Sequence, residues 1–343
     1  MRALRIGMFV CGALFAASLR AEIYELPPEG YDVVGAIATV LAREEDTLID
    51  IARRNGLGYH DIVRANPDVN VWVPGEGTEV VLPTRFVLPP GPRRGIVLNL
   101  AEYRLYYYPP PVDGQPAYVM TYPNSIGRMD WETPLGSTSV VSKVKDPSWY
   151  PPQSVRDEHA ADGRPLPRIV PPGPDNPLGR YAMRLGLPGY LIHSTNRPAG
   201  VGMRVTHGCI RMFPEDIEYL FQNVDVSTPV RIINAPVKIG WFGDKLVMEV
   251  HPVLEAVVSE GNEELVAANI DVDTGDGAVE DADIPAQRKD PLTFVTEQFI
   301  AVTGDRAGSL DWDEVELLIN RSDGIPAAAG TRIKNAATSA ASQ

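Results

Sequence analysis

Hydrophobic positions change their period along this chain, and the changes divide it. Between about Gly35 and Pro83 the order is strand, helix, helix, strand. Ile37-Ala38-Thr39-Val40 reads as a short strand, and Asp46 or Thr47 then caps a helix with Leu48, Ile51 and Ala52 on one face, stopped near Asn55-Gly56. Tyr59, Ile62 and Val63 suggest a second helix that ends at Asn66-Pro67, and Pro74-Gly75 turns the chain toward a strand over Glu79–Pro83. Pro83, Pro89, Pro90 and Pro92 make residues 84–94 a stiff linker.

From Gly95 the period shortens to that of strands. Ile96–Leu100 and Tyr103–Tyr108 flank Ala101-Glu102 as in a hairpin, and further strands are expected at Ala117–Tyr122, Thr138–Lys145 and Gly189–His193. Trp149–Pro177 is so rich in proline that no regular structure is expected there; a loop of that length inside a compact domain is either a cover for a site or a surface insertion. A helix follows Arg211, with Pro214 in its first turn, Glu215 and Asp216 at its positive end, and Ile217, Leu220, Phe221 and Val224 on one face. Strands at Val230–Ile233 and Leu246–Val250 are expected to close the sheet, with residues 236–254 as C-terminal strands that pack on the β domain. Helices are expected at Thr293–Ile300 and Trp312–Ile319, no fold for the acidic stretch Glu260–Asp290, and fraying from Ala327 onward. The fold class is α+β: a mainly β domain over 95–235, a small βααβ domain over 35–83, and an acidic extension over 255–343 that is partly disordered.

Charge sharpens these boundaries. The chain of 343 residues has a net charge of −14, but residues 255–343 hold 18 Asp/Glu against 6 Lys/Arg, so the rest of the chain is close to neutral. That distribution argues against nucleic acid as a partner. At the other end, Arg2 and Arg5 precede an apolar run from Ile6 to Leu19 and small residues up to Ala21, the pattern of a secretory signal peptide over residues 1–21. The run is shorter than the roughly 20 residues of a spanning helix, and no later run is long enough, so no permanent membrane span is expected.

Removal of that leader takes away Cys11 and leaves Cys209 as the only thiol, in a compartment where structural cysteines come in pairs. Cys209 lies in Thr206-His207-Gly208-Cys209-Ile210-Arg211, with His193 sixteen residues before it. A thiol attacks only as thiolate, so a neighbouring imidazole points to a nucleophile rather than to an inert buried cysteine. One cysteine and two histidines at this spacing match no usual zinc site, and no cofactor is called for.

Ile192-His193-Ser194-Thr195-Asn196, then Gly200 and Gly202, then Arg204 to Met212, resemble the signature of the YkuD-type L,D-transpeptidases. Asn176-Pro177-Leu178-Gly179 and Pro214-Glu215-Asp216-Ile217 extend the resemblance, which covers about Gly95 to Leu254; Ser194 stands where many periplasmic members carry glycine. The first unit resembles a LysM module through Asp46-Thr47-Leu48, Ile51-Ala52-Arg53-Arg54, Ala65-Asn66-Pro67 and Pro74-Gly75. The resemblance implies a β-sandwich or barrel with a short helix after the cysteine motif. It implies Cys209 as nucleophile, His193 as base oriented by the carbonyl of Ser194, and His207 as support for the pocket or for a backbone donor. The N–H groups of Gly208 and Cys209 are candidates for an oxyanion hole. Arg211 offers a fork for a substrate carboxylate, with a salt bridge to Asp216 as the alternative; Thr206 shapes the loop, and Asn196 is a further candidate for substrate contact.

The implied partners are peptidoglycan stem peptides and glycan strands in the periplasm, with an outer-membrane lipoprotein as a possible acceptor. The implied reaction cleaves a tetrapeptide donor after diaminopimelate and passes the acyl group to an amine, either a lipoprotein lysine or a second diaminopimelate. Two rivals remain: an L,D-carboxypeptidase that uses water as acceptor, and a non-catalytic LysM wall-binding protein.

Overall fold

The structure is a computed structural model that describes residues 22–128, 131–254, 290–304 and 306–333. The proposed leader, most of the acidic stretch and the last ten residues lie outside the described residues. No helix among the described residues is long and apolar enough to cross a membrane.

Eight strands close on themselves to make the central body. In chain order these are β4 (Gly95–Asn99), β5 (Arg104–Tyr108), β6 (Tyr118–Gly127), β7 (Gly136–Lys145), β8 (Tyr181–Leu185), β9 (Leu191–His193), β11 (Ile210–Met212) and β12 (Pro229–Ile233). Hydrogen bonding runs β6-β11-β9-β8-β7-β12-β4-β5 and returns to β6, while β1 (Glu22–Glu25) and β10 (Arg204–Thr206) attach to β6 as well. Closure is possible because β6 is ten residues long: its first half pairs with β1 and β5, and its second half with β10 and β11. Alternate residues point inward. Ile96, Leu98, Leu105, Tyr107, Met120, Tyr122, Met183, Ile192, Ile210 and Met212 fill the interior with Ile217, Leu220 and Val224 of helix α4 (Pro214–Asn223).

The N-terminal unit is built from β2 (Val33–Leu41), α1 (Leu48–Arg54), α2 (Tyr59–Ala65) and β3 (Glu79–Val87). Thr47 caps α1 in a reciprocal box with Asp50, and Asn66 accepts from and donates to Val81 while donating to Ile62, which seats the end of α2 on β3. Its core of Leu48, Ile51, Leu57, Ile62, Val80 and Phe86 continues into Val97, Tyr106, Tyr108 and Val119 on the outer face of the barrel. The expected linker is shorter than 84–94, because β3 runs through Pro83 to Val87 opposite Ile37 to Val33. A two-stranded ribbon leaves each strand an open edge, where proline is tolerated.

Three other expectations are corrected. β13 (Val237–Phe242) and β14 (Lys245–Val250) do not close the barrel sheet; they form a separate sheet, β13-β14-β16-β15, with β15 (Gly308–Leu310) and β16 (Ala327–Arg332). Helices α5 (Pro291–Thr303) and α6 (Trp312–Arg321) cover it, with Trp241, Leu246, Met248, Val295, Val315 and Leu318 in its core. The extension from Asp290 to Ile333 is therefore folded. Ala327 begins not a frayed end but an inner strand bonded on both edges, where small side chains fit beneath the helices. Finally, the proline-rich segment contains α3 (Gln153–Ala161), since Pro151 and Pro152 precede its first turn and the next proline is Pro165.

The C-terminal unit is joined to the barrel by a buried ionic cluster. Lys238 lies 2.5 Å from Glu102, 2.9 Å from Glu249 and 3.1 Å from the Tyr106 hydroxyl, and His251 lies 2.7 Å from Glu249. Glu249 also accepts the Val87 N–H at 2.7 Å. Glu102, Glu249 and His251 stand close enough together to hold a cation, and the Lys238 ammonium already supplies that charge among them. Removing it strands two buried carboxylates, so Lys238→Met is expected to destabilise the protein by about 3–5 kcal/mol in urea unfolding. A loss below about 1 kcal/mol would show that the cluster contributes no more than a surface pair does.

Candidate active site

The barrel wall brings the two halves of the cysteine motif together. β9 and β11 are parallel neighbours, with Ile210 opposite Ile192 and Arg211 opposite His193. Alternation sends Ile192 and Ile210 into the core and leaves His193 and Arg211 on the outer face, with Cys209 one residue ahead of β11. The Arg211 charge acts on both His193 and Cys209, as expected for three groups that share this face.

His193 is buried, and its Nδ1 lies 2.6 Å from the carbonyl oxygen of Ser194. A carbonyl only accepts, so Nδ1 carries the proton and Nε2 keeps the basic lone pair. The main chain of Ser194 supplies this contact, so serine in place of glycine leaves it intact. Burial, reinforced by Arg211, pushes the His193 imidazole down to about 3. Burial likewise pushes the Cys209 thiol up to about 11, against the opposing effects of the Leu191 backbone and Arg211. The resting pair is thus a neutral thiol and a neutral imidazole. Cys209 Sγ is half-buried and lies 3.5 Å from the Gly189 carbonyl.

Side-chain hydroxyls shape the turn around the sulfur. Thr206 donates to the Cys209 carbonyl at 2.6 Å, and Thr133 donates to the Gly208 carbonyl at 2.7 Å while accepting the Gly127 N–H. Both carbonyls are thereby turned inward, and neither the Gly208 nor the Cys209 N–H donates to a backbone carbonyl of the described residues. Gly208 has φ +93°, and a Cβ there would stand 2.9 Å from the Tyr190 ring, so only glycine fits.

His207 faces away from the barrel, toward the proline-rich segment. Its Nε2 lies 3.0 Å from Glu158 of α3, and its ring meets Trp131 edge-on at 5.0 Å. Glu158 also accepts from Arg128 at 2.7 Å. Burial lowers the His207 pKa, and Glu158 opposes that shift. The segment carrying α3 is pinned at its neck by mutual Trp149–Val170 hydrogen bonds and by Asn176, which donates to Pro147 at 2.8 Å. It is an ordered cover beside the cysteine turn.

Arg211 is half-buried, and its Nε has no hydrogen-bond partner among the described residues. The alternative salt bridge to Asp216 is not formed. Asp216 is itself buried, which pushes its carboxyl up to about 8, and it interacts with Glu215, Arg104 and Arg53 instead. Burial and the nearby Arg197 lower the Arg211 pKa, against the opposing effect of Cys209. Asn196 is exposed and donates to the Pro174 carbonyl at 3.3 Å, which places it at the rim rather than beside Cys209. Glu158, Thr133 and Tyr190 went unnoticed in the sequence. Glu158 is 49 positions from His207, and no local pattern marks it.

A half-buried thiol, an imidazole fixed by a backbone carbonyl, and a guanidinium whose Nε has no hydrogen-bond partner among the described residues stand on one face of the barrel wall, the groups that a cysteine acyltransferase or hydrolase would use. Comparison with known proteins narrows the class. Residues 93–232 match the YkuD model, the L,D-transpeptidase catalytic domain. The probable L,D-transpeptidase ErfK/SrfK of Escherichia coli strain K12 is 43% identical over 239 residues, covering 68% of this chain and 76% of that one. The probable L,D-transpeptidases YcfS and YbiS of the same strain are 39% and 40% identical, over 74% and 65% of this chain and 79% and 72% of theirs. The chain belongs to the YkuD-type L,D-transpeptidases, and it is an enzyme of peptidoglycan L,D-transpeptidation.

Proposed function

We propose that Cys209 forms the acyl-enzyme and that His193 moves the protons, with a tetrapeptide stem as donor and an amine as acceptor. The observation that carries this reading is the parallel pairing of β9 with β11, which sets His193, Arg211 and Cys209 on one face. The Cys209 proton passes to Nε2 of His193 as the sulfur bonds to the diaminopimelate carbonyl carbon that is amide-linked to the terminal residue. The resulting imidazolium protonates the departing nitrogen, the C–N bond breaks, and the terminal residue leaves. In the second half-reaction the acceptor amine attacks the thioester, its proton goes to His193 and then to the sulfur, and the thiol is regenerated. The N–H groups of Gly208 and Cys209 receive the developing oxyanion in each half. His207, tied to Glu158, holds the turn that presents them.

Arg211 would bind a free carboxylate of diaminopimelate. With Arg211→Ala, the donor KM is expected to rise about 10- to 100-fold, the worth of a charge-assisted hydrogen bond. A donor whose diaminopimelate carboxylate is amidated would then be used equally by parent and variant. An equal loss with both donors would refute this role. The βααβ unit is read as a LysM-like module that engages glycan strands, and the leader-like N-terminus directs the chain to the periplasm.

The acceptor is tested by mass analysis of products from tetrapeptide-bearing muropeptides, with a diaminopimelate stem and a lysine-terminated lipoprotein peptide both present. Crosslinked or peptide-linked products are expected. Free tripeptide alone would identify a carboxypeptidase.

A further inference from the structure

The N-terminal unit holds the catalytic segment on both sides of Cys209. Upstream, the Tyr59 N–H donates to the Val201 carbonyl at 3.0 Å and the His60 N–H to the Gly202 carbonyl at 3.4 Å. The two chains meet glycine against glycine. A Cβ on Gly202, whose φ is +87°, would fall 2.3 Å from Tyr59 N, and one on Gly58 would fall 2.7 Å from the Gly202 Cα. Downstream, Arg53 in the last turn of α1 binds both carboxylate oxygens of Glu215, at 2.7 and 2.9 Å, and lies over the Phe213 ring at 5.4 Å. Phe213 is the single residue between β11 and α4.

Behind these contacts the unit is fixed to the barrel. Arg104, fully buried on β5, pairs with Asp61 of α2 at 2.7 Å, and the two parts share one apolar core. A module that served only to tether the enzyme would not need its backbone threaded into the loop that leads to the nucleophile.

We infer that the N-terminal unit is a positioning part of the active site: Arg53 and the Gly58–His60 turn fix residues 201–215 at both ends and thereby set Cys209 against His193. This rests on the assignment of Cys209 as nucleophile. Arg53 touches no reacting atom and acts through Glu215 and Phe213. Near-attack geometry is steep, so a shift of about 1 Å in the sulfur costs on the order of a hundredfold in rate.

The test uses the full chain and a charge exchange. Arg53→Glu and Glu215→Arg, each alone, are expected to slow acylation of Cys209 by a saturating carbapenem about 10- to 100-fold. The double variant is expected to recover to within about threefold of the parent. All rates are taken well below the melting temperature of each variant, so that a mere loss of stability leaves them unchanged. Unaltered rates in both single variants overturn the inference. Hydrogen exchange over residues 203–212 reads the same hold without any reaction: faster exchange in the single variants and recovery in the double support it. Unchanged exchange overturns it even if Cys209 proved not to be the nucleophile, whereas a parent chain that resists acylation but shows this exchange pattern refutes only the nucleophile assignment.

Discussion

Cys209→Ala is expected to reduce acyl transfer by about 10⁴-fold or more, to the assay background, because nothing else in the site can carry the acyl group. Of the two histidines in the motif, His193 is held by the Ser194 carbonyl in the role proposed for it as base, and His207 is engaged by Glu158. Cys209→Ser is expected to fail almost as completely. A thiol already pushed up to about 11 by burial needs its base, and a hydroxyl starts far higher still. The Cys209→Ala protein should keep its fold, since the sulfur is half-buried and its hydrogen bond to the Gly189 carbonyl is long, at 3.5 Å. It should also still bind donor through Arg211. Circular dichroism, donor binding and product mass together check this, and turnover by the alanine variant at even a hundredth of the parent rate would end the assignment.

The candidate pair could be picked out in the sequence because its parts stand close together there. His193 and Cys209 are sixteen residues apart, and the histidine closes an apolar strand while the cysteine stands one residue ahead of β11. What could not be read was how those strands meet. β9 and β11 are three residues each, too short to show a period, and their parallel pairing depends on the intervening loop around Val201 and Gly202. That loop is seated by Tyr59 and His60, more than 140 positions upstream. Glu158 was hidden in the same way: prolines on either side obscure a helix that is itself free of them. The ends of the chain misled for a different reason. Ala327-Ala328-Ala329 has the composition of a tail, and only pairing with β14 and β15 makes it a strand. Local pattern reports helices and hairpins well, but residues joined by long-range pairing have no local trace.

The pH dependence of His193→Ala separates two ways in which the thiol can be activated. A preformed thiolate–imidazolium pair would require the imidazole to lie above the thiol, and here burial places His193 near 3 and Cys209 near 11. The neutral pair predominates throughout the span between those values, so the proton moves only as the sulfur attacks. His193→Ala is therefore expected to slow Cys209 acylation about 10²- to 10⁴-fold at neutral pH. The deficit should shrink as pH rises toward 11, because hydroxide then produces the thiolate that the base no longer helps to form. In the parent, alkylation of Cys209 by iodoacetamide should climb through the alkaline range without a plateau near pH 7. Donor binding adds a further step. A carboxylate seated on Arg211 cancels one of the two causes that depress His193, so the imidazole becomes more basic once substrate is in place. The acid limb of kcat should accordingly lie at higher pH than that of kcat/KM, since the protonated imidazolium is the inactive form in both. A thiol that alkylates at a constant rate above pH 7, or a variant whose deficit stays the same up to pH 10, would show instead that Cys209 rests as a thiolate.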